Sequence, residues 1–143
     1  MKRFVASLLL VLAVLLAGVS SSLAARLVAQ VNLSNQTMTV KKNGRVLYRW
    51  AISSGRKGYR TPTGTYSPKR MHKMWYSRKY DMSPMPYSIF FRGGYAIHGT
   101  NYVSRLGRPA SHGCIRLRTS HARTLYNLTR QVGPANMRVS ISY

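Results

Sequence analysis

The sequence predicts a mainly β domain with one short helix, set after its only cysteine, Cys114. Three observations carry this. Apolar residues recur at every second position at 27–31, 38–40, 46–52 and 137–141, the period of strands with one buried face. Gly, Asn and Pro interrupt these runs at short intervals, as turns between strands require. A helical period appears only beyond Cys114.

The chain begins with Met1-Lys2-Arg3, a mostly apolar run from Phe4 to Val19, and then Ser20-Ser21-Ser22-Leu23-Ala24. A basic end, an apolar stretch and a small-residue cleavage site make a secretory signal peptide. A retained membrane anchor is the alternative, but the run of about 16 residues falls short of the ~20 that a span needs. No cysteine stands at the cut to take a lipid anchor. Residues 1–24 are therefore expected to be a signal peptide and 25–143 one exported domain, in the periplasm or cell envelope. That remainder is long enough for one core.

Leu27, Ala29 and Val31 predict the first strand, and Ser34-Asn35-Gln36 the turn after it. Met38 and Val40 continue one face of a second strand. Asn43-Gly44 predicts a tight hairpin, because both residues tolerate positive φ. Val46, Tyr48, Trp50 and Ile52 alternate in a third strand, completing a meander. Residues 53–65 read as a breaker-rich loop that enters a short strand at Thr65-Tyr66. Residues 71–87 are rich in Met and aromatics without a clear period, and read as part lid over a cleft, part irregular core packing. Ser88 to Phe91 and Tyr95 to His98 predict short strands joined through Gly93-Gly94, followed by a polar segment to Ser111. Thr119 or Ser120 is the expected cap of a helix with Ala122, Leu125, Tyr126 and Leu128 on its apolar face. Gly133-Pro134 ends it, and Met137, Val139 and Ile141 predict a last strand.

The chain carries 23 Lys and Arg against one acid, Asp81, for a formal charge of +22. Loss of Lys2 and Arg3 with the signal lowers this to +20. Such a charge suits a polyanionic partner. Export excludes nucleic acid as the expected one and leaves anionic envelope polymers. The cations are spread along the chain rather than massed in a tail, so most are expected to form a solvated face.

A single cysteine cannot form an intramolecular disulfide, and a free thiol on an exported protein is a liability unless it is used. A buried cysteine acting as a small apolar residue is the plain alternative. As a nucleophile, Cys114 needs a base, because an ordinary thiol is mostly protonated at neutral pH. His98 and His112 are the candidates. His112 is awkwardly close in the chain, whereas His98 ends a predicted strand from which a loop can return Cys114 alongside. With acids so scarce, a backbone carbonyl, that of Gly99, is the expected orienter of the imidazole. Gly113 would let backbone amides approach a substrate oxygen, as an oxyanion hole requires. His98, His112 and Cys114 as three zinc ligands is the competing chemistry. A catalytic zinc usually wants a carboxylate base, and only Asp81 is available, so no metal or other cofactor is expected. His72 and His121 are expected to be surface residues.

His98-Gly99-Thr100, Leu106-Gly107 and Ser111-His112-Gly113-Cys114-Ile115-Arg116-Leu117 together resemble the signature of the L,D-transpeptidase catalytic domain, the YkuD-like family. Thr61-Pro62-Thr63-Gly64-Thr65-Tyr66 resembles that family's upstream loop, and the likeness spans residues 26–142. The resemblance implies a β-sandwich-like catalytic fold with Cys114 as nucleophile, His98 as base and the Gly99 carbonyl holding His98. It implies that Ser111, His112 and Gly113 shape the nucleophile loop, and that Arg116 and Thr100 contact substrate, Arg116 through a carboxylate. The implied substrate is a peptidoglycan tetrapeptide stem, cut between its diamino acid and terminal D-Ala, with the acyl group passed from a Cys114 thioester to an amine. That amine belongs to another stem or to an envelope protein; delivery to water would make the protein a carboxypeptidase or amidase. A non-catalytic basic binder of envelope polyanions is the rival of a different class. No LysM repeat or peptidoglycan-binding module is read in the sequence, and a monomer is expected.

Overall fold

In the computed structural model, which describes residues 26–143, a five-stranded and a four-stranded sheet supply one apolar core. The signal-peptide reading of residues 1–24 lies outside the described residues. Strand β1 (Leu27–Asn32) pairs antiparallel with β2 (Thr37–Lys42), and β2 with β3 (Arg45–Ala51). The predicted meander is present. Asn43 and Gly44 turn between β2 and β3 with φ of 51° and 79°, the left-handed pair that matches strand twist. On the far side of β1 lies β9 (Met137–Ser142), parallel to it, and β4 (Gly64–Tyr66) pairs with β9. Leu27, Ala29, Val31, Met38, Val40, Met137, Val139 and Ile141 all point into the core, as alternation predicts.

Strand β3 departs from that pattern. Val46, Leu47 and Tyr48 are all exposed, and only Trp50 is buried. Leu47 is an extra residue against the step from Val40 to Lys41 in β2. Such a bulge bends an edge strand away from its sheet, and β3 is the edge. Tyr48 stacks on Trp50 at 4.9 Å, and Trp50 stacks nearly flat on His121 at 4.8 Å. His121 is thus a half-buried strut between β3 and the helix, not the surface residue expected.

The second sheet runs β5 (Arg70–Ser77), β6 (Ser83–Arg92), β7 (Tyr95–Thr100), β8 (Ile115–Arg118). Residues 71–87 are therefore mostly a regular antiparallel hairpin, with one helical turn at Arg78–Tyr80. Their period is hidden by a kink. Ile89 and Phe91 face the core, and strict alternation would put Met85 there too. Tyr87 has a φ of 54° and lies opposite a gap in the ladder at Lys73. Beyond it Met85 and Trp75 turn to the other face, joining Phe90, Ala96 and Cys114 in a second apolar cluster. His72 lies tilted against Trp75 at 4.8 Å, so it too is half-buried rather than free on the surface.

Strand β8 is an element the sequence reading does not assign. Ile115 and Leu117 are fully buried, and Arg116 and Arg118 alternate with them; four residues are too few for the period to stand out. The helix, α1 (Thr119–Val132), follows at once. It buries Ala122, Leu125 and Tyr126 as expected, and Thr129 besides. Its cap is Arg118, with no side-chain capping bond, rather than Thr119 or Ser120. The chain leaves β8 directly into the first turn, and the Thr119 hydroxyl is drawn to the Thr100 carbonyl at 3.4 Å. Helix α1 packs on β6 and β7, which fixes the strand carrying His98.

Candidate active site

Strands β7 and β8 are parallel neighbours, with Ile97 opposite Ile115 and His98 opposite Arg116. Cys114 is the residue just before β8, so it and His98 enter from adjacent strand positions. Both line one cleft of about 590 Å³, together with Thr100, Ser111, His112 and Arg116. The candidate polar and titratable side chains of the sequence motif therefore border one space. Gly99 and Gly113 do not line it but shape its walls.

The imidazole of His98 is buried, and its Nδ1 lies 2.7 Å from the Gly99 carbonyl oxygen. A carbonyl only accepts, so Nδ1 carries the proton and Nε2 keeps its lone pair. Burial pushes the His98 pKa down to about 4; the Gly99 carbonyl opposes the shift and the Arg116 charge adds to it. The Cys114 thiol is moved the other way, up, again by burial, against the Ala96 amide and the Arg116 guanidinium. Its Sγ is 3.7 Å from the Gly94 carbonyl. The resting cleft thus holds a neutral thiol and a neutral imidazole.

The loop that carries Cys114 is held from both ends. The Ser111 hydroxyl donates to the Cys114 carbonyl at 2.6 Å and accepts the Gly113 N–H at 3.0 Å. The Gly113 amide is thus engaged inside the loop. What demands glycine there is space: φ is +120°, and a Cβ would fall 2.5 Å from Tyr95 Cε1. At Gly99 a Cβ would meet the Thr119 Cα at 2.9 Å, so that glycine admits the helix start as well as presenting its carbonyl. Thr100 is buried and its hydroxyl accepts the Tyr102 N–H at 3.1 Å. His112 stacks on Tyr80 at 4.1 Å, meets Tyr59 edge-on, and has Nε2 3.0 Å from an Arg56 guanidinium nitrogen. Its pKa is lowered by burial and then by Arg56, Arg116 and Lys79. Among the described residues no three His, Cys, Asp or Glu side chains converge closely enough to ligate one ion.

Sequence reasoning missed how much the breaker-rich loop contributes. Ser53 and Arg116 exchange backbone hydrogen bonds at 2.9 and 3.0 Å. The Ser54 carbonyl accepts from Ala110 and Ser111, and the Arg56 N–H reaches the Ser111 carbonyl. Thr61, almost fully buried, donates to the Gly113 carbonyl at 2.8 Å and accepts the Gly55 N–H at 3.0 Å. It is a clip between two loops 52 residues apart. Its place at the head of Thr-Pro-Thr-Gly is the only sequence signal, and that does not name the partner. Tyr80, also on the cleft wall, is signalled only as part of the aromatic-rich stretch 71–87, and Arg105 carries no sequence signal.

Residues 26–140 match the L,D-transpeptidase catalytic domain family, YkuD. The Bacillus subtilis protein named L,D-transpeptidase YkuD is 29% identical over 117 residues, covering 78% of this chain and 63% of the relative. An L,D-transpeptidase from Mycobacterium smegmatis superposes with a TM-score of 0.73 at 21% identity, over 83% of this chain and 59% of that one. L,D-transpeptidase 3 from Mycobacterium tuberculosis, in complex with a faropenem-derived adduct, gives a TM-score of 0.71 at 21% identity, over 83% and 61%. This chain spans less than two thirds of the length of these relatives. It belongs to the L,D-transpeptidase catalytic domain family and has that family's two-sheet fold.

Proposed function

We propose that the protein is an exported cysteine L,D-transpeptidase acting on peptidoglycan tetrapeptide stems. The observation that carries this is the His98 imidazole, fixed by the Gly99 carbonyl with its free nitrogen available, in the same cleft as the chain's only thiol. In the proposed reaction His98 Nε2 takes the Cys114 proton as Sγ attacks the carbonyl carbon of the diamino acid. The tetrahedral intermediate expels D-Ala, whose amine leaves with the proton from His98, and a thioester remains. An acceptor amine then attacks the thioester, giving its proton to His98, which returns it to the leaving sulfur. Because both groups rest neutral, charge develops only during attack. This places the demand on neighbours that stabilise it, Arg116 and the Ala96 amide beside the sulfur.

Ser111, His112 and Gly113 are assigned to holding the nucleophile loop, and Arg116 and Thr100 to the donor side of the cleft. The signal at 1–24 supports export to the periplasm or envelope, and the positive charge supports attraction to anionic envelope polymers. The faropenem-derived adduct on an enzyme of this fold supports β-lactam acylation of Cys114 here. The test is purified protein with a disaccharide-tetrapeptide, read by mass spectrometry. Loss of D-Ala with dimer formation is expected; loss of D-Ala with free tripeptide alone would make the enzyme hydrolytic, and no loss would overturn the reading.

A further inference from the structure

Three arginines line the cleft that holds Cys114: Arg56, Arg105 and Arg116. They come from three separate segments, the loop before β4, the helical turn at Val103–Arg105 after β7, and β8 itself. The chain's only acid, Asp81, is not among the cleft-lining residues. Arg116 is half-buried, with its guanidinium 5.9 Å from the Tyr102 ring. Arg56 is spread over Tyr59 at 4.7 Å and reaches His112 at 3.0 Å. None of these contacts neutralises a charge. Arg56 and Arg105 are exposed on the cleft wall and Arg116 is half-buried, so like charges gather at one opening and repel one another, and the part-desolvated one, Arg116, is costly to leave unpaired. The arrangement is favourable when anions occupy the cleft.

We propose that Arg56, Arg105 and Arg116 make the cleft selective for donor peptides whose carboxylates are all free, and against the same peptides with a carboxylate amidated. This rests on the transpeptidase reading above and adds a substrate class to it. A tetrapeptide stem offers up to three carboxylates: on the terminal D-Ala, on the diamino acid when that is a diacid, and on the γ-linked glutamyl residue. Three guanidinium groups match that number. Guanidinium pairs with carboxylate through two parallel charge-assisted bonds. A carboxamide cannot accept both, and its NH2 would face a cation. A site built to pair a polar group rejects the analogue that leaves its own groups unpaired. Arg116, nearest Cys114 in the chain, is assigned to the D-Ala carboxylate common to every donor. Arg56 and Arg105 are the pair that reads amidation.

The test compares three synthetic disaccharide-tetrapeptides built on a diacid diamino residue: one unmodified, one amidated at the glutamyl carboxylate, one amidated at the diamino acid. Binding is measured at physiological ionic strength on Cys114→Ala protein, and kcat/KM for D-Ala release on the unaltered protein. Each amidation is expected to weaken binding by about two- to fivefold, the worth of an exposed guanidinium–carboxylate pair. Arg56→Gln and Arg105→Gln are each expected to collapse one of the two ratios towards unity, with binding of the amidated stem little changed. Arg26→Gln with Lys41→Gln, two cations beside a separate surface pocket on the five-stranded sheet, is expected to leave both ratios intact. Equal affinity for free and amidated stems, or ratios that follow total charge instead of Arg56 and Arg105, would overturn the proposal. Failure to release D-Ala from any stem counts against the thioester reaction alone, because the affinity ratios are read without turnover.

Discussion

His98 Nδ1 lies 2.7 Å from the carbonyl oxygen of the next residue, Gly99. His98 thus orients its own imidazole through the following peptide, in a chain whose one acidic side chain, Asp81, does not line the cleft. The contact selects the tautomer, and burial keeps the ring neutral to about pH 4.

The first prediction is the pH dependence this creates. The folded His98 pKa lies below the unfolded value of 6.5, so the unfolded chain binds more protons between pH 6.5 and 4. Stability contributed by neutral His98 is full above 6.5 and is lost as pH falls towards 4, by about 3 kcal/mol. The acid limb of kcat/KM should likewise fall near pH 4, not 6.5. A pH-rate profile and urea melts at several pH values check both; an acid limb at 6.5 would mean that His98 is solvated.

Cys114→Ala should retain the fold and lose D-Ala release altogether. Meropenem should add one drug-derived mass to the unaltered protein, on the tryptic peptide containing Cys114, and none to the variant. Chelator should not prevent it. Intact-mass measurement reads this directly, and an adduct blocked by chelation would revive a metal-dependent site.

Thr61→Val removes the donor to the Gly113 carbonyl and the acceptor of the Gly55 N–H. Each backbone group left unpaired in a buried site costs about 1–3 kcal/mol. The melting temperature should drop, and β-lactam acylation should slow by about tenfold or more as the loop bearing Cys114 loosens. Thr61→Ser keeps both bonds and should restore the acylation rate; a serine variant as slow as valine would mean that the clip does not position Cys114.

Gly113→Ala meets two obstacles, the +120° φ and the Tyr95 ring. A strained backbone alone costs on the order of 1–3 kcal/mol. Acylation should be nearly abolished, even where circular dichroism shows the fold retained. Adding Tyr95→Val should recover part of the loss, since it opens the space but leaves the φ penalty. No recovery would assign the whole effect to the backbone.

Much of this protein is written in local pattern. Leu27, Ala29, Val31, Met137, Val139 and Ile141 declare their strands because each is a half-buried strand whose period is two. Asn43-Gly44 declares its turn because few other residues take that backbone. Cys114, His98, His112 and Arg116 mark the candidate site from sequence, and all four line one cleft. Tertiary structure decided the rest. Residues 71–87 look aperiodic because the left-handed Tyr87 moves Met85 and Trp75 to the opposite face, and strands such as β8 are too short to show a period. Thr61 reaches Gly113, and Arg56 and Arg105 reach the cleft of Arg116, across separations no local pattern encodes. Periodicity reports which face of an element is buried; which distant loops meet over that face is fixed only when the two sheets and the helix close on one core.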